Sequence, residues 1–335
     1  MKIMKTIQKV PGGMMVIPLL LAALINTFAP GALKIGSFTT AVFSNTAAAT
    51  VVGLQLFFIG TGLKIKEAPE AIKRGSVLLI SKYIAGAVLG IVIAKLFGTA
   101  GILGVSVLAI ISSVTGANGS LYLALMGEYG DSKDLAAQSI MNIHDGPFLA
   151  LLTFGVSGLA NIPLMALFAA IVPLIIGCIL GNLDVDFRKF FAQGVGITIP
   201  FIGFALGAGI NFFSIIRAGF SGVILAAMVF IIGGGCAILG DKFINRRPGY
   251  AGAAIASAAG NTIATPAAIA LVDKTYAPFV AAATAQIAAA VVITAIIVPP
   301  FVDRMAKKYG SPKLQNSKAE VNVNSSVDNN VETIP

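Results

Sequence analysis

SSVTGANGSLYLALMGEYG, residues 112–130, interrupts a chain that is otherwise almost continuously apolar. The apolar run opens at Thr115-Gly116-Ala117-Asn118-Gly119-Ser120 and resumes as Leu121-Tyr122-Leu123-Ala124-Leu125-Met126. A helix in lipid must satisfy every backbone N–H and C=O internally, so such a break survives only where protein or a protected cavity covers it.

The surroundings set the class. Of 335 residues, 57% are hydrophobic and 11% charged, whereas a water-facing domain carries about 25% charged residues. The chain reads as an all-α polytopic membrane protein, with the lipid bilayer as a partner. The formal charge of +9 does not indicate nucleic acid, because the basic residues form no single patch and are not interleaved with aromatics. Cys178 and Cys236 lie inside apolar runs and read as small buried hydrophobes rather than a disulfide. Lys2, Lys5 and Lys9 before an apolar run mimic a secretory leader. A retained first span is the expectation, since nine more follow.

With ~20 apolar residues per span, ten spans are expected near 14–30, 47–63, 76–97, 101–127, 134–157, 162–181, 191–209, 216–240, 250–272 and 277–301. The tail from residue 310 onward is polar and is expected to be disordered. Of the 23 lysines and arginines, eighteen fall on the side of the two termini and the loops after even-numbered spans. Lys34, Lys95, Arg217 and Lys274 fall on the other side, and Lys82 lies within a span. The positive-inside rule then places both termini in the cytoplasm.

The opening stretch has an echo in AAGNTIATPAAIALVDK, residues 258–274, with Asn118 matching Asn261. Gly60-Thr61-Gly62-Leu63 matches Gly207-Ala208-Gly209-Ile210, Pro18 matches Pro173, and Gln138 matches Gln286, all in the same order. A repeat of five spans is odd-numbered, so two copies in series enter the membrane from opposite sides. The expectation is two inverted five-helix repeats, 1–160 and 161–309, with broken fourth and ninth helices meeting at a midplane site, the architecture of secondary transporters. Thr265-Pro266 reads as an N-cap followed by proline at the first helical position, and Asn118 or Ser120 caps its counterpart. Two helix N-termini aimed at one cavity make an anion site. Thr115, Asn118, Ser120, Asn261, Thr262 and Thr265 are the candidate substrate-binding residues. The bland alternative is a pair of Gly-containing kinks in ordinary spans.

Lys82, His144 and Asp145 are ionisable residues well inside the spans, and such residues are functional candidates because of their insertion penalty. Gln138, Asn142 and Asp145 share one helix face, with Pro147 bending the helix beyond them. A desolvated carboxylate can load and release a proton near neutral pH, so Asp145 is the candidate proton carrier. The competing role is a structural carboxylate that holds the kink or pairs with Lys82. His144 lies about 100° around the helix from Asp145 and is open as a packing residue or a proton relay. Lys82 is open as counter-ion to Asp145, as contact for a substrate carboxylate, or as a residue reaching an interface.

Three strings carry a resemblance. KVPGGMMVIPLLLAALINTFAPGALKIGSFTTA (9–41), TGANGSLYLALMGEYGD (115–131) and NIHDGPFLALLTFG (142–155) closely resemble the bacterial 2-keto-3-deoxygluconate permease family. The resemblance extends to about Tyr309. It implies a proton-coupled importer of a small anionic sugar acid in the bacterial cytoplasmic membrane, with a bile-acid-symporter-like fold, and no cofactor or metal. A related sugar acid, or coupling to sodium, is the alternative. An intramembrane serine protease is a rival class, since Gly155-Val156-Ser157-Gly158 and Gly219-Phe220-Ser221-Gly222 match G-x-S-G and His144 could serve as base. With 37 glycines a four-residue match is weak. A single histidine leaves no H-E-x-x-H zinc motif, no nucleotide-binding G-x-x-x-x-G-K-[ST] occurs, and no repeated filter residues suggest a channel.

Overall fold

The computed structural model describes residues 3–8, 13–65, 69–144, 146–209, 211–213 and 219–314. Among these residues the named elements are all helices. They are labelled α1 (Gly13–Phe28), α2 (Ala47–Gly62), α3 (Pro69–Phe97), α4 (Val107–Val114), α5 (Gly119–Tyr129), α6 (Ser132–Met141), α7 (Phe148–Val156), α8 (Leu164–Leu183), α9 (Gly194–Gly207), α10 (Gly219–Ala227), α11 (Gly234–Phe243), α12 (Tyr250–Ala254), α13 (Thr265–Val272) and α14 (Val280–Tyr309). Among the described residues four helical stretches are long and apolar enough to cross a membrane: Pro69–Phe97, Val185–Gly207, Gly219–Phe243 and Lys274–Tyr309. A fifth arises if the short helix Ser37–Phe43 and α2, bent by 62°, count as one span. The remaining apolar segments are short or broken.

The helices sort into two groups. In one, α8 packs along α2, and α9 packs along both α1 and α2. In the other, α3 packs on α4, α6 and α11, while α14 packs on α10 and α12. Small residues permit the approach, as expected where helices associate without a hydrophobic driving force. A Cβ on Gly60 would overlap the carbonyl oxygen of Leu174, and one on Gly207 would overlap that of Leu19. A Cβ on Gly75 would lie 2.6 Å from the Ala137 oxygen. All eight residues of α4 are buried, which suits a helix that is apolar all round and sits at the centre of its group.

Several expectations are corrected. The segment 134–157 is not one kinked helix: α6 ends at Met141, Asn142–His144 is a 3-10 turn, and α7 begins at Phe148. Gly146 adopts φ +110°, a conformation favouring glycine, and Pro147 is the N-cap of α7, its carbonyl accepting from Leu151 at 2.8 Å. Thr265 is the first residue of α13 rather than its cap, and the preceding 3-10 turn Asn261–Ala264 feeds directly into it. The start of the polar tail packs: Ser311 is buried, and Leu314 lies against an apolar cluster containing Val302 and Met305. The rest of the tail, 315–335, lies outside the described residues.

Candidate functional site

The first break is built from its own side chains. α4 ends at Val114, and the Thr115 hydroxyl donates to the Ile111 carbonyl at 2.7 Å. Asn118 opens α5: its Oδ1 accepts the Leu121 N–H at 3.0 Å, satisfying one donor of the first turn. The Asn118 N–H reaches across to the Ser257 hydroxyl at 3.2 Å. A Cβ on Gly116 would overlap the Thr262 methyl. The two breaks therefore touch, at Asn118–Ser257 and Gly116–Thr262.

The second break is wider. α12 ends at Ala254, and residues 255–260 belong to no helix. Lys82 of α3, fully buried, donates from Nζ to the carbonyls of Ile255 and Ser257, at 2.6 Å each. The Ala258 N–H goes to the Thr294 hydroxyl at 3.0 Å, and the Thr262 hydroxyl to the Ala259 carbonyl at 2.7 Å. Lys82 thus supports the broken backbone and does not lie at an interface. Asn261 heads the 3-10 turn and is half-buried. The buried Thr265 hydroxyl has no partner among the described residues. Asp145, and the side chain of Ser120, lie outside the described residues. His144 is buried.

Gln138 and Asn142 meet as their spacing requires, with Gln138 Nε2 donating to Asn142 Oδ1 at 2.6 Å. Gln138 Oε1 is buried without a partner among the described residues. Both residues line a cavity of ≈ 190 Å³ at the N-terminus of α5, together with Gly119, Phe58, Ile59 and Gly62. A larger, apolar cavity of ≈ 360 Å³ lies beside α13, bounded by Ala48, Val52, Leu56, Pro147, Ala267 and Leu271. Along α2 the smaller cavity is lined by Phe58, Ile59 and Gly62 and the larger by residues from Ala48 to Leu56, so the two follow one another on the same helix. They share a seam between the two helix groups. Leu56 packs close to Gly146, where a Cβ would lie 2.9 Å from Leu56 Cδ2.

A third constellation was not foreseen. Asp134, buried completely, accepts from Arg74 at 2.9 Å, from Arg247 Nη2 at 2.7 Å, and from the Tyr250 hydroxyl at 2.8 Å. Arg247 Nη1 also pairs with it. Arg74 adds Asp131 at 2.8 Å and Glu70 at 3.1 Å, and Asp131 forms a capping box with Asp134 at the start of α6. Burial works against the Arg247 charge, but the Asp134 carboxylate outweighs it and raises the guanidinium above its ordinary value. The cluster ties α3, α6 and α12 together at one end of the group. The one advance signal was the D-x-x-D spacing before an apolar run.

The G-x-S-G serines are otherwise engaged. Ser157 donates to the Thr153 carbonyl at 2.6 Å, and Ser221 accepts from Gln286 at 3.1 Å.

Comparison with known proteins then decides the class. The family model described as 2-keto-3-deoxygluconate permease matches residues 4–311. The chain belongs to the 2-keto-3-deoxygluconate permease family. It is 46% identical over 308 residues to 2-keto-3-deoxygluconate permease 1 of Salmonella typhimurium, covering 92% of this chain and 96% of the relative. It is 40% identical over 317 residues to the 2-keto-3-deoxygluconate permease of Bacillus subtilis, again covering 92% and 96%. The permease of that name from Xanthomonas oryzae is 38% identical over 305 residues, covering 89% and 95%. A member of this permease family is a multi-pass membrane transporter and not an enzyme, and the protease reading falls with that.

Proposed function

We propose that this chain imports 2-keto-3-deoxygluconate across the bacterial cytoplasmic membrane in symport with protons. Its ten spans form two inverted repeats, 1–160 and 161–309, with both termini cytoplasmic. The observation that carries the reading is the contact between the two breaks beside a cavity holding Gln138 and Asn142, in a chain of this permease family. The substrate is a monoanion at neutral pH. Its carboxylate suits the positive end of α5, and its hydroxyls suit the amides of Gln138 and Asn142. Thr115, Asn118, Ser120, Asn261, Thr262 and Thr265 form the wall of the site around the breaks. The two cavities along one seam fit a carrier in which one helix group moves against the other, exposing the site to each side in turn. Paired contacts support the repeat: Gly60–Leu174 and Gly207–Leu19 exchange when the matched residues of the two halves are interchanged.

Uptake of labelled 2-keto-3-deoxygluconate into cells expressing the chain tests this reading. Asn118→Ala and Asn261→Ala are expected to raise the apparent KM at unchanged expression. Unaltered KM in both would remove the breaks from the site.

A further inference from the structure

We propose that the proton carried with the substrate resides on Lys82, making the ε-amine the coupling group; this rests on the symport reading above. Lys82 is fully buried, and its Nζ bonds are both to backbone carbonyls of the second break, Ile255 and Ser257. Among the described residues no carboxylate pairs with it. An ammonium has three N–H donors and a neutral amine two. Two carbonyl acceptors take both N–H donors of the neutral amine and leave the ammonium one donor short. The cage therefore accepts both protonation states, unlike a buried ion pair, which locks one.

On the helix of Lys82 the other ionisable groups are Glu70, Lys73, Arg74, Tyr83 and Lys95, and others lie on the helices packed against it. The Tyr83 hydroxyl accepts from Thr153 at 3.2 Å. α6 brings Lys133 and Asp134, the latter held by Arg74 and Arg247. Arg74 precedes Lys82 by eight residues, about 12 Å along α3. α11 brings Cys236, Asp241 and Lys242, and α12 brings Tyr250. Asp241 is bonded to Asn245 at 3.2 Å. α4 and the first break bring none, and the His144 backbone lies beside Gly116 of that break. Asp145 lies outside the described residues.

Position connects this amine to the substrate. Ser257, whose carbonyl binds Lys82, receives the Asn118 N–H through its hydroxyl. One residue thus separates Nζ from the cap of α5. One turn further along α3, a Cβ on Gly86 would lie 2.7 Å from the Thr115 nitrogen. Lys82 sits between both breaks. Charge then couples the two cargoes. Anion plus ammonium is a neutral loaded carrier, and empty site plus amine is a neutral empty one. The two mixed forms leave an unbalanced charge in low dielectric. The amine takes its proton from water on the side where the anion binds and returns it to water on the side where the anion leaves. No other atom changes hands.

The test uses the full chain in liposomes, with wild type, Lys82→Gln and Lys82→Arg. Glutamine keeps two N–H donors but stays neutral, and arginine stays charged. Both are expected to lose accumulation driven by a pH gradient, falling from roughly tenfold per pH unit for one proton per monoanion to no accumulation. Exchange at equal pH should persist in at least one. In wild type, the apparent pKa of pH-dependent uptake should fall clearly on warming, as amine and imidazole ionisation do and carboxylate ionisation does not, and the fall should persist in His144→Gln. This readout stands even if neither variant folds. Normal gradient-driven accumulation by either Lys82 variant overturns the proposal. So does a temperature-independent pKa with accumulation lost only in Asp145→Asn. Absence of labelled exchange in wild type overturns instead the transport reading beneath it.

Discussion

Gly60 of α2 lies with its bare backbone against the carbonyl of Leu174 in α8, and Gly207 of α9 lies in the same way against Leu19 in α1. Leu174 follows Pro173 and Leu19 follows Pro18, so each contact joins positions that the proposed repeat matches. A side chain at either glycine would force two helices apart. Gly60→Ala and Gly207→Ala are expected to destabilise the chain by about 1–3 kcal/mol each, the range for overpacking. Gly196→Ala, with nothing within 4 Å, should leave the melting temperature in detergent unchanged or slightly raised. Unequal effects at the two glycines would argue against equivalent halves.

These glycines stand out in the sequence because their G-x-G strings echo each other in the proposed repeat. So was the first break: Asn118 caps α5 where the polar run predicts it, and Gln138 meets Asn142 at i+4. Local rules, capping and helical spacing, suffice there. The partners of Lys82 were not legible, because the carbonyls it binds are 173 and 175 residues away and backbone acceptors leave no mark in composition. Asp134 was hidden for a related reason. Its arginines come from α3 and from the turn before α12, and nothing in a single chain segment announces that they converge. The break at Gly146-Pro147 was read as a kink because proline alone predicts a bend. It is the glycine's left-handed φ that restarts the helix.

The Asp134 cluster predicts a large, asymmetric response. Removing one member of a buried ion pair leaves the other charged and unpaired, at about 3–5 kcal/mol. Asp134→Ala should therefore lower the detergent unfolding temperature far more than Arg247→Met, since Arg74 still holds Asp134 in the second variant. Thermal unfolding of both variants and of the double variant measures this. The double variant should lose less than the sum of the singles, because the two residues share one interaction.

Asp273 predicts a weak pH dependence at the loop before α14. The Thr275 hydroxyl first, then the backbone N–H groups of Asn161 and Thr275, hold its carboxyl below the usual carboxylate range. A carboxylate lowered by folding contributes stability above its unfolded pKa of about 3.9, and that contribution disappears as pH falls through the lower folded value. Asp273→Asn should therefore lower the melting temperature slightly at pH 6. The difference from wild type should narrow as pH falls through the lower folded value, where the Asp273 carboxyl becomes protonated. A difference that grows on acidification would contradict the bonding seen here.

The cavity at the start of α5 gives the sharpest test of the site. A Cβ on Gly119 would overlap Gln138 Nε2, so Gly119→Ala must push the amide into the space the substrate is proposed to take. Gln138→Leu removes the buried amide whose Oε1 lacks a partner, and an apolar side chain of similar size should fold at least as well. The two variants therefore separate packing from recognition. Gln138→Leu is expected to raise the apparent KM for 2-keto-3-deoxygluconate about tenfold, the loss of one hydrogen bond to a charged or strongly polar partner, with unchanged or raised melting temperature. Gly119→Ala should lose uptake and stability together. Adding Gln138→Ala to Gly119→Ala should restore stability, because the overlapping atoms are gone, while uptake stays impaired for want of the amide. Uptake kinetics and melting curves on the same preparations read both. Wild-type KM in Gln138→Leu would move the substrate out of this cavity and toward the apolar one beside α13.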